Sequence, residues 1–153
     1  LQSMIADGWD VEFTVVGKVA DEKEFRKISQ APFVRYIPPQ PRESLEPLYQ
    51  SHDIFVMPSF TETFGLVYAE AMSRGIPVVY SQGQGFDGQF PEGTVGFHVD
   101  PHSVPRIRSA IEAVIENYAP IARECPRLAQ SFCWGHIVAR YELIYGELLT
   151  GEA

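Results

Sequence analysis

Short apolar runs that alternate with segments of helical length constrain this chain more than any other feature of its sequence. Val11-Glu12-Phe13-Thr14-Val15-Val16-Gly17 is a β-branched run closed by glycine, and Asp21-Glu22-Lys23-Glu24-Phe25 after it carries the acidic residues that suit a helix start. Phe33-Val34-Arg35-Tyr36-Ile37 reads as a second strand. It ends at Pro38-Pro39-Gln40-Pro41, where proline blocks both helix and ladder hydrogen bonding. Ser44 is positioned to cap a helix through Ser51. Ile54-Phe55-Val56-Met57 is continuously apolar and stopped by Pro58, as expected of a central parallel strand covered on both faces. A helix is expected from Gly65 to Arg74, with Gly75 as its left-handed stop, and Pro77-Val78-Val79-Tyr80 as the next strand. Beyond a glycine-rich loop from Gln82 to Gly96, Phe97-His98-Val99 is a short strand. Ile107, Ile111, Val114 and Ile115 mark a helix over Val104–Tyr118, and helices fill Ile121–Gln130 and Trp134–Leu149. Strand and helix in alternation predict an α/β fold: a Rossmann-like, doubly wound, mostly parallel sheet flanked by helices, with ligands at the carboxyl ends of the strands.

Composition narrows the functional classes. With 153 residues, 45% of them hydrophobic, residues 1–153 are expected to form one domain with a true core. A formal net charge of −8 repels nucleic acid and anionic lipid at long range, so neither is an expected partner. Cys125 and Cys133 are too few for a disulfide framework and have no zinc-like spacing, which suits free thiols in a reduced compartment. No run approaches the length of a transmembrane segment, and no charged-then-apolar leader opens the chain. Leu1-Gln2-Ser3-Met4-Ile5-Ala6 reads as the end of a helix already under way, so a longer parent chain is expected.

The chemistry concentrates in Pro58-Ser59-Phe60-Thr61-Glu62-Thr63-Phe64-Gly65-Leu66-Val67-Tyr68-Ala69-Glu70-Ala71-Met72, which joins a strand end to a helix start. Gly65 permits close backbone approach to a ligand, and the N–H groups of a first helical turn favour a diphosphate. Glu62 precedes that turn. Glu70 follows it by roughly 8 Å along the axis at ~1.5 Å per residue, so the two carboxylates can flank a diphosphate. Four residues after Leu66, Glu70 is expected on the inward side of the helix, where sugar or ribose hydroxyls would satisfy it. The plainer alternative is that Glu62 complements the helix dipole, worth ~0.3–1 kcal/mol, and that Glu70 is a solvated helix residue.

The spacing Glu62-x7-Glu70 within Glu-Thr-Phe-Gly-Leu-Val-Tyr-Ala-Glu-Ala-Met-Ser-Arg-Gly-Ile-Pro-Val-Val resembles the signature of the family-4, or group 1, glycosyltransferases. Phe13-Thr14-Val15-Val16-Gly17 and Ser51-His52-Asp53-Ile54-Phe55-Val56-Met57-Pro58-Ser59 are similar to other segments of that family. Phe132-Cys133-Trp134, followed by a helix with Tyr141 and Tyr145, extends the likeness. The resemblance implies a C-terminal, donor-binding lobe of a two-Rossmann-domain (GT-B) enzyme, its acceptor-binding N-terminal domain lying outside this sequence. It implies transfer of a sugar from a nucleoside-diphosphate sugar to a glycan or lipid-linked acceptor, with retention and without a metal or other cofactor. Glu62 would be the catalytic-site carboxylate on the donor sugar, and Thr63, Phe64, Gly65 and Leu66 would complete the sugar and diphosphate site. Glu70 would bind the ribose, and Gln40 and Arg42 would lie by the base. A role in polysaccharide biosynthesis follows, with a cytoplasmic location that leaves room for a peripheral position on the inner face of the membrane. Two departures stand out. The basic pair that neutralises the leaving diphosphate in that family belongs upstream of Leu1, so the chain alone is expected to bind donor without efficient transfer. The family's Gly-Gly-x-x-Glu loop is replaced by Gly83-Gln84-Gly85-Phe86-Asp87-Gly88.

Other signals are weaker. Gly83, Gly85 and Gly88 match Gly-x-Gly-x-x-Gly, yet the segment runs into Gln89-Phe90-Pro91-Glu92-Gly93 instead of opening a helix, which argues against a dinucleotide. His98 and His102 are separated by Asp100-Pro101, which breaks a helical metal-binding display, and surface or loop positions are expected for them. Ser59 lacks the glycine-flanked elbow of a hydrolase nucleophile. Two competing readings remain: a non-catalytic nucleotide-sugar-binding module, and a nucleotide-sugar epimerase of similar architecture.

Overall fold

The computed structural model describes the backbone of residues 1–150, which divides into two compact units, one from Leu1 to Ser51 and one beginning at His52. The first holds α1 (Gln2–Ala6), β1 (Phe13–Val16), α2 (Glu22–Ser29), β2 (Val34–Ile37) and α3 (Arg42–Gln50). Asp21 sets the start of α2: its Oδ1 accepts the N–H groups of Lys23 at 2.8 Å and Glu24 at 3.1 Å, satisfying two of the turn's orphan donors. β1 and β2 pair in parallel from Phe13 opposite Val34 to Val16 opposite Ile37. The Tyr36 hydroxyl closes the end of β1 by donating to the Gly17 carbonyl at 2.9 Å.

The second unit holds β3 (Phe55–Val56), α4 (Leu66–Met72), β4 (Val78–Ser81), β5 (Gly96–Val99), α5 (Val104–Glu116), α6 (Tyr118–Ala129), a single 3₁₀ turn at Gln130–Phe132 and α7 (Trp134–Thr150). Its three strands are ordered β3-β4-β5, all parallel. Every residue of β4 is buried, and Val78 and Val79 are fully so. At about 1.5–3 kcal/mol for a fully buried aliphatic side chain, this strand anchors the core together with Val114 of α5 and Met72 of α4. Parallel pairing places the carboxyl ends of all three strands at one edge. The loops after β3, β4 and β5 therefore meet there.

The α/β architecture with parallel strands flanked by helices is the one expected. Four local expectations are corrected. The strand expected over Ile54–Met57 is shorter: β3 is Phe55–Val56, paired with β4 and followed by the Met57 N–H, which donates to the Val79 carbonyl at 3.0 Å, because an apolar run reports burial and not the extent of a ladder. Helix α3 begins at Arg42, two residues before Ser44. Pro41, at φ −63° and ψ 154°, already supplies the extended N-cap conformation. The helix expected to reach Tyr118 stops at Glu116, and α6 starts at Tyr118, because Asn117 leaves helical geometry at φ −113° and ψ 23°. Leu66 does not face inward: it is 64% exposed, and the buried face of α4 carries Tyr68, Ala71 and Met72. Among the described residues no helix is long and apolar enough to cross a membrane.

Candidate functional site

The segment joining β3 to α4 is built around Gly65. It caps α4 in the left-handed region at φ 80° and ψ 55°, and as a glycine it has no side chain to cap the N–H groups of the turn that follows. A Cβ at this position would stand 2.4 Å from two ring carbons of Tyr68. Tyr68 is 1% exposed, and its hydroxyl donates to the Met57 carbonyl at 2.6 Å, so the ring ties the helix start to the end of β3. Burial, followed by the nearby charge of Glu62, pushes the Tyr68 phenol up to about 12, so it stays a neutral donor. Ser81, at the end of β4, fixes the same loop from below by donating to the Ser59 carbonyl at 2.6 Å.

Glu62 lies before this turn and is half-buried. Its Oε1 accepts the Phe64 N–H at 3.4 Å, a long bond that closes the carboxylate over its own backbone. The Gln84 side-chain oxygen accepts the Glu62 N–H at 2.8 Å, and the Gly85 N–H donates to the Glu62 carbonyl at 3.3 Å. Gly85 can come this close only because it has no side chain: a Cβ there would lie 1.7 Å from the Thr63 carbonyl oxygen. The glycine motif thus has a physical purpose different from dinucleotide binding. It lays the loop after β4 against the loop after β3.

The structure brings Glu62, Thr63, Phe64, Gly65 and Leu66 together on one short turn, with Thr63 and Leu66 exposed and Phe64 half-buried. Glu70 follows on α4 as a half-buried residue whose side of the helix is shared with exposed Leu66. It is therefore not held in the core. Gln40 and Arg42 belong to the first unit, where the Gln40 amide donates to the Pro38 carbonyl at 2.9 Å and Arg42 opens α3 from an exposed position. Among the described residues, no group of three or more histidine, cysteine or acidic side chains is arranged to hold a metal ion.

Several contributors were not legible from spacing. Phe132 sets its ring edge-on to Phe64 at 5.5 Å and to Phe90 at 5.7 Å, so the residue after α6 braces the turn that carries Glu62. The sequence offered one signal for it, the aromatic pair around Cys133. His98 is half-buried on β5: its Nδ1 stands 2.8 Å from Asp87 Oδ1 and 3.3 Å from Glu92 Oε2. Burial raises the Asp87 carboxyl, but bonds from the Gly83 N–H and from His98 outweigh it and hold the group below its ordinary value. This clasp pins both ends of the glycine loop. His102 stacks on exposed Phe60 at 4.8 Å. A depression of about 300 Å³ between Gly93, Phe97 and Ile121 lies toward the amino end of β5, away from the edge that carries these loops.

The Gly65 turn, with Glu62 before it and Glu70 after it on α4, is the candidate site of this parallel α/β unit. Residues 4–130 match the sequence model of the group 1 glycosyl transferases, and the chain belongs to that family. It is 33% identical over 106 residues to the D-inositol 3-phosphate glycosyltransferase of Rhodococcus opacus, a span covering 67% of this chain and 24% of that relative. Its fold is similar to that of sucrose-phosphate synthase from Thermosynechococcus elongatus, with a TM-score of 0.76 at 25% identity over 97% of this chain and 41% of the other. It is also similar in fold to Anabaena HepE in complex with UDP-glucose, with a TM-score of 0.68 at 23% identity over 92% of this chain and 41% of the other. The chain thus spans about a quarter of the curated relative's length.

Proposed function

We propose that this chain is the donor-binding part of a retaining glycosyltransferase that uses a nucleoside-diphosphate sugar. The observation that carries the reading is the Gly65 turn, left without a side-chain cap between Glu62 and Glu70 at the carboxyl end of a parallel strand. Backbone N–H groups at Phe64, Gly65 and Leu66 would receive the distal phosphate, and the Phe64 N–H would exchange its long bond to Glu62 for a phosphate oxygen. Glu62, released by that exchange, would accept hydrogen bonds from vicinal hydroxyls of the sugar. Glu70 would accept from the ribose. The complex of HepE with UDP-glucose supports a nucleotide-sugar ligand for a fold of this kind.

Mechanistically, the residues of this chain would hold the donor and stabilise charge; no group among them is assigned as a covalent nucleophile. Charge developing on the leaving diphosphate would be met by the N–H groups of the turn, worth several kcal/mol of barrier when such donors are preorganised. Acceptor binding, and the cationic groups that complete leaving-group stabilisation, are proposed to lie in sequence outside this chain. Transfer would proceed without a metal, in the cytoplasm, to a glycan or lipid-linked acceptor of a polysaccharide pathway.

Calorimetric titration with UDP, GDP and ADP and with their sugar conjugates, in the absence of metal, tests the reading. One nucleotide is expected to bind, Glu70→Ala to weaken nucleotide and conjugate alike, and Glu62→Ala to weaken the conjugate selectively. Tight binding that neither substitution alters would refute the assignment of both carboxylates.

A further inference from the structure

Gln84 stands in the glycine loop after β4, yet its side chain is spent on the loop after β3. Its Oε1 accepts the Glu62 N–H at 2.8 Å, and the neighbouring Gly85 N–H donates to the Glu62 carbonyl at 3.3 Å, so the two peptide units that flank the Glu62 Cα are held by one short segment. The segment is itself fixed. Gly85 packs on Thr63 where no side chain fits, the Asp87 Oδ2 accepts the Gly83 N–H at 2.7 Å, and Asp87 Oδ1 meets His98 on β5 at 2.8 Å. A donor of known polarity, the backbone N–H, fixes which end of the Gln84 amide faces Glu62.

We propose that Gln84 is a positioning residue for Glu62, acting on the sugar part of the donor and not on its nucleotide. The inference rests on the nucleotide-sugar reading above, in which Glu62 touches the sugar. Once the Phe64 N–H has passed from Glu62 to the phosphate, the direction of the Glu62 carboxylate is set by its χ angles and by the two peptide planes at its Cα, of which Gln84 holds the one on the amino side. Without that acceptor the Thr61–Glu62 peptide loses its anchor and only the Glu62 carbonyl stays held, so the carboxylate samples more orientations that miss the vicinal hydroxyls. Binding of the nucleoside diphosphate, held by N–H groups on the far side of Thr63, does not depend on that plane.

The test compares Gln84→Ala and Gln84→Met, alone and combined with Glu62→Ala, by calorimetry with UDP-glucose, GDP-mannose and ADP-glucose and with UDP, GDP and ADP. Gln84→Met keeps the length and bulk of the side chain and removes the acceptor, so it preserves loop packing if Gln84→Ala does not; thermal melts identify any variant that fails to fold. With whichever conjugate the unsubstituted protein binds, both single variants are expected to weaken it about three- to tenfold, the range that loss of one ordinary hydrogen bond corresponds to. They should leave the bare nucleotide within twofold, and in the Glu62→Ala background the same changes should have no effect on the conjugate. Equal weakening of nucleotide and conjugate, or an undiminished effect in the Glu62→Ala background, would overturn the positioning role while leaving the donor site standing. If the unsubstituted protein binds none of the conjugates or nucleotides, the donor-site reading fails and this inference fails with it.

Discussion

Replacing Gly65 with alanine separates two physical costs that the structure predicts to add. At φ 80° an L-residue incurs about 1–2 kcal/mol, the usual penalty of the left-handed region. The new methyl would also stand 2.4 Å from the Tyr68 ring, and that ring cannot swing away, being 1% exposed and tethered through its hydroxyl to Met57. Overpacking of this kind costs about 1–3 kcal/mol, so the sum is about 2–5 kcal/mol. Gly83→Ala is the control. It has a similar φ of 71°, but nothing lies within 4 Å of the new methyl, so only the backbone cost of about 1–2 kcal/mol applies. Urea unfolding followed by circular dichroism measures both, and in a thermal melt each kcal/mol corresponds to about 2–4 °C for a chain of this size. If Gly65→Ala costs no more than Gly83→Ala, Tyr68 is not the rigid brace described above.

Ser81→Ala should destabilise the protein by about 1–3 kcal/mol in the same assay, because it orphans the Ser59 carbonyl that Ser81 satisfies at 2.6 Å in a site where Ser81 is 1% exposed. The depressed Asp87 carboxyl contributes stability that is fully present above the ordinary carboxylate range and is lost as pH falls below about 4 toward the lowered native value. Asp87→Asn should therefore flatten the acid limb of a melting-temperature profile, and an unchanged limb would count against the clasp to Gly83 and His98. A thiol reagent at neutral pH should label exposed Cys133 rapidly and Cys125 only on unfolding, since burial pushes the Cys125 thiol up to about 12. Cys133→Ser should remove the fast phase.

The elements that were legible in the sequence are those whose residues encode a local conformation. Gly75 marked the end of α4 because its φ of 79° favours glycine there, and Asp21 marked the start of α2 because a carboxylate is what two orphan N–H groups require. Pro41, and not Ser44, sets the start of α3, because a proline's fixed φ presets a helix entry without any side-chain bond. What spacing could not disclose were contacts between loops distant in sequence. Gln84 meets Glu62 across 22 positions and Phe132 meets Phe64 across a longer stretch, and no periodicity links them. Leu66 misled for the opposite reason: a leucine at a helix start reads as a core residue, yet the face of α4 is decided by Tyr68, whose ring must reach under Gly65.

The turn from Phe64 to Leu66 is proposed to receive the diphosphate of a nucleotide sugar. Backbone amide spectra of ¹⁵N-labelled protein titrated with the best-bound nucleotide test it most directly. The largest shifts are expected on Phe64, Gly65 and Leu66, with a smaller response at Glu62 that grows when the sugar is present. Shifts concentrated elsewhere, with the Gly65 amide unmoved at saturation, would contradict it.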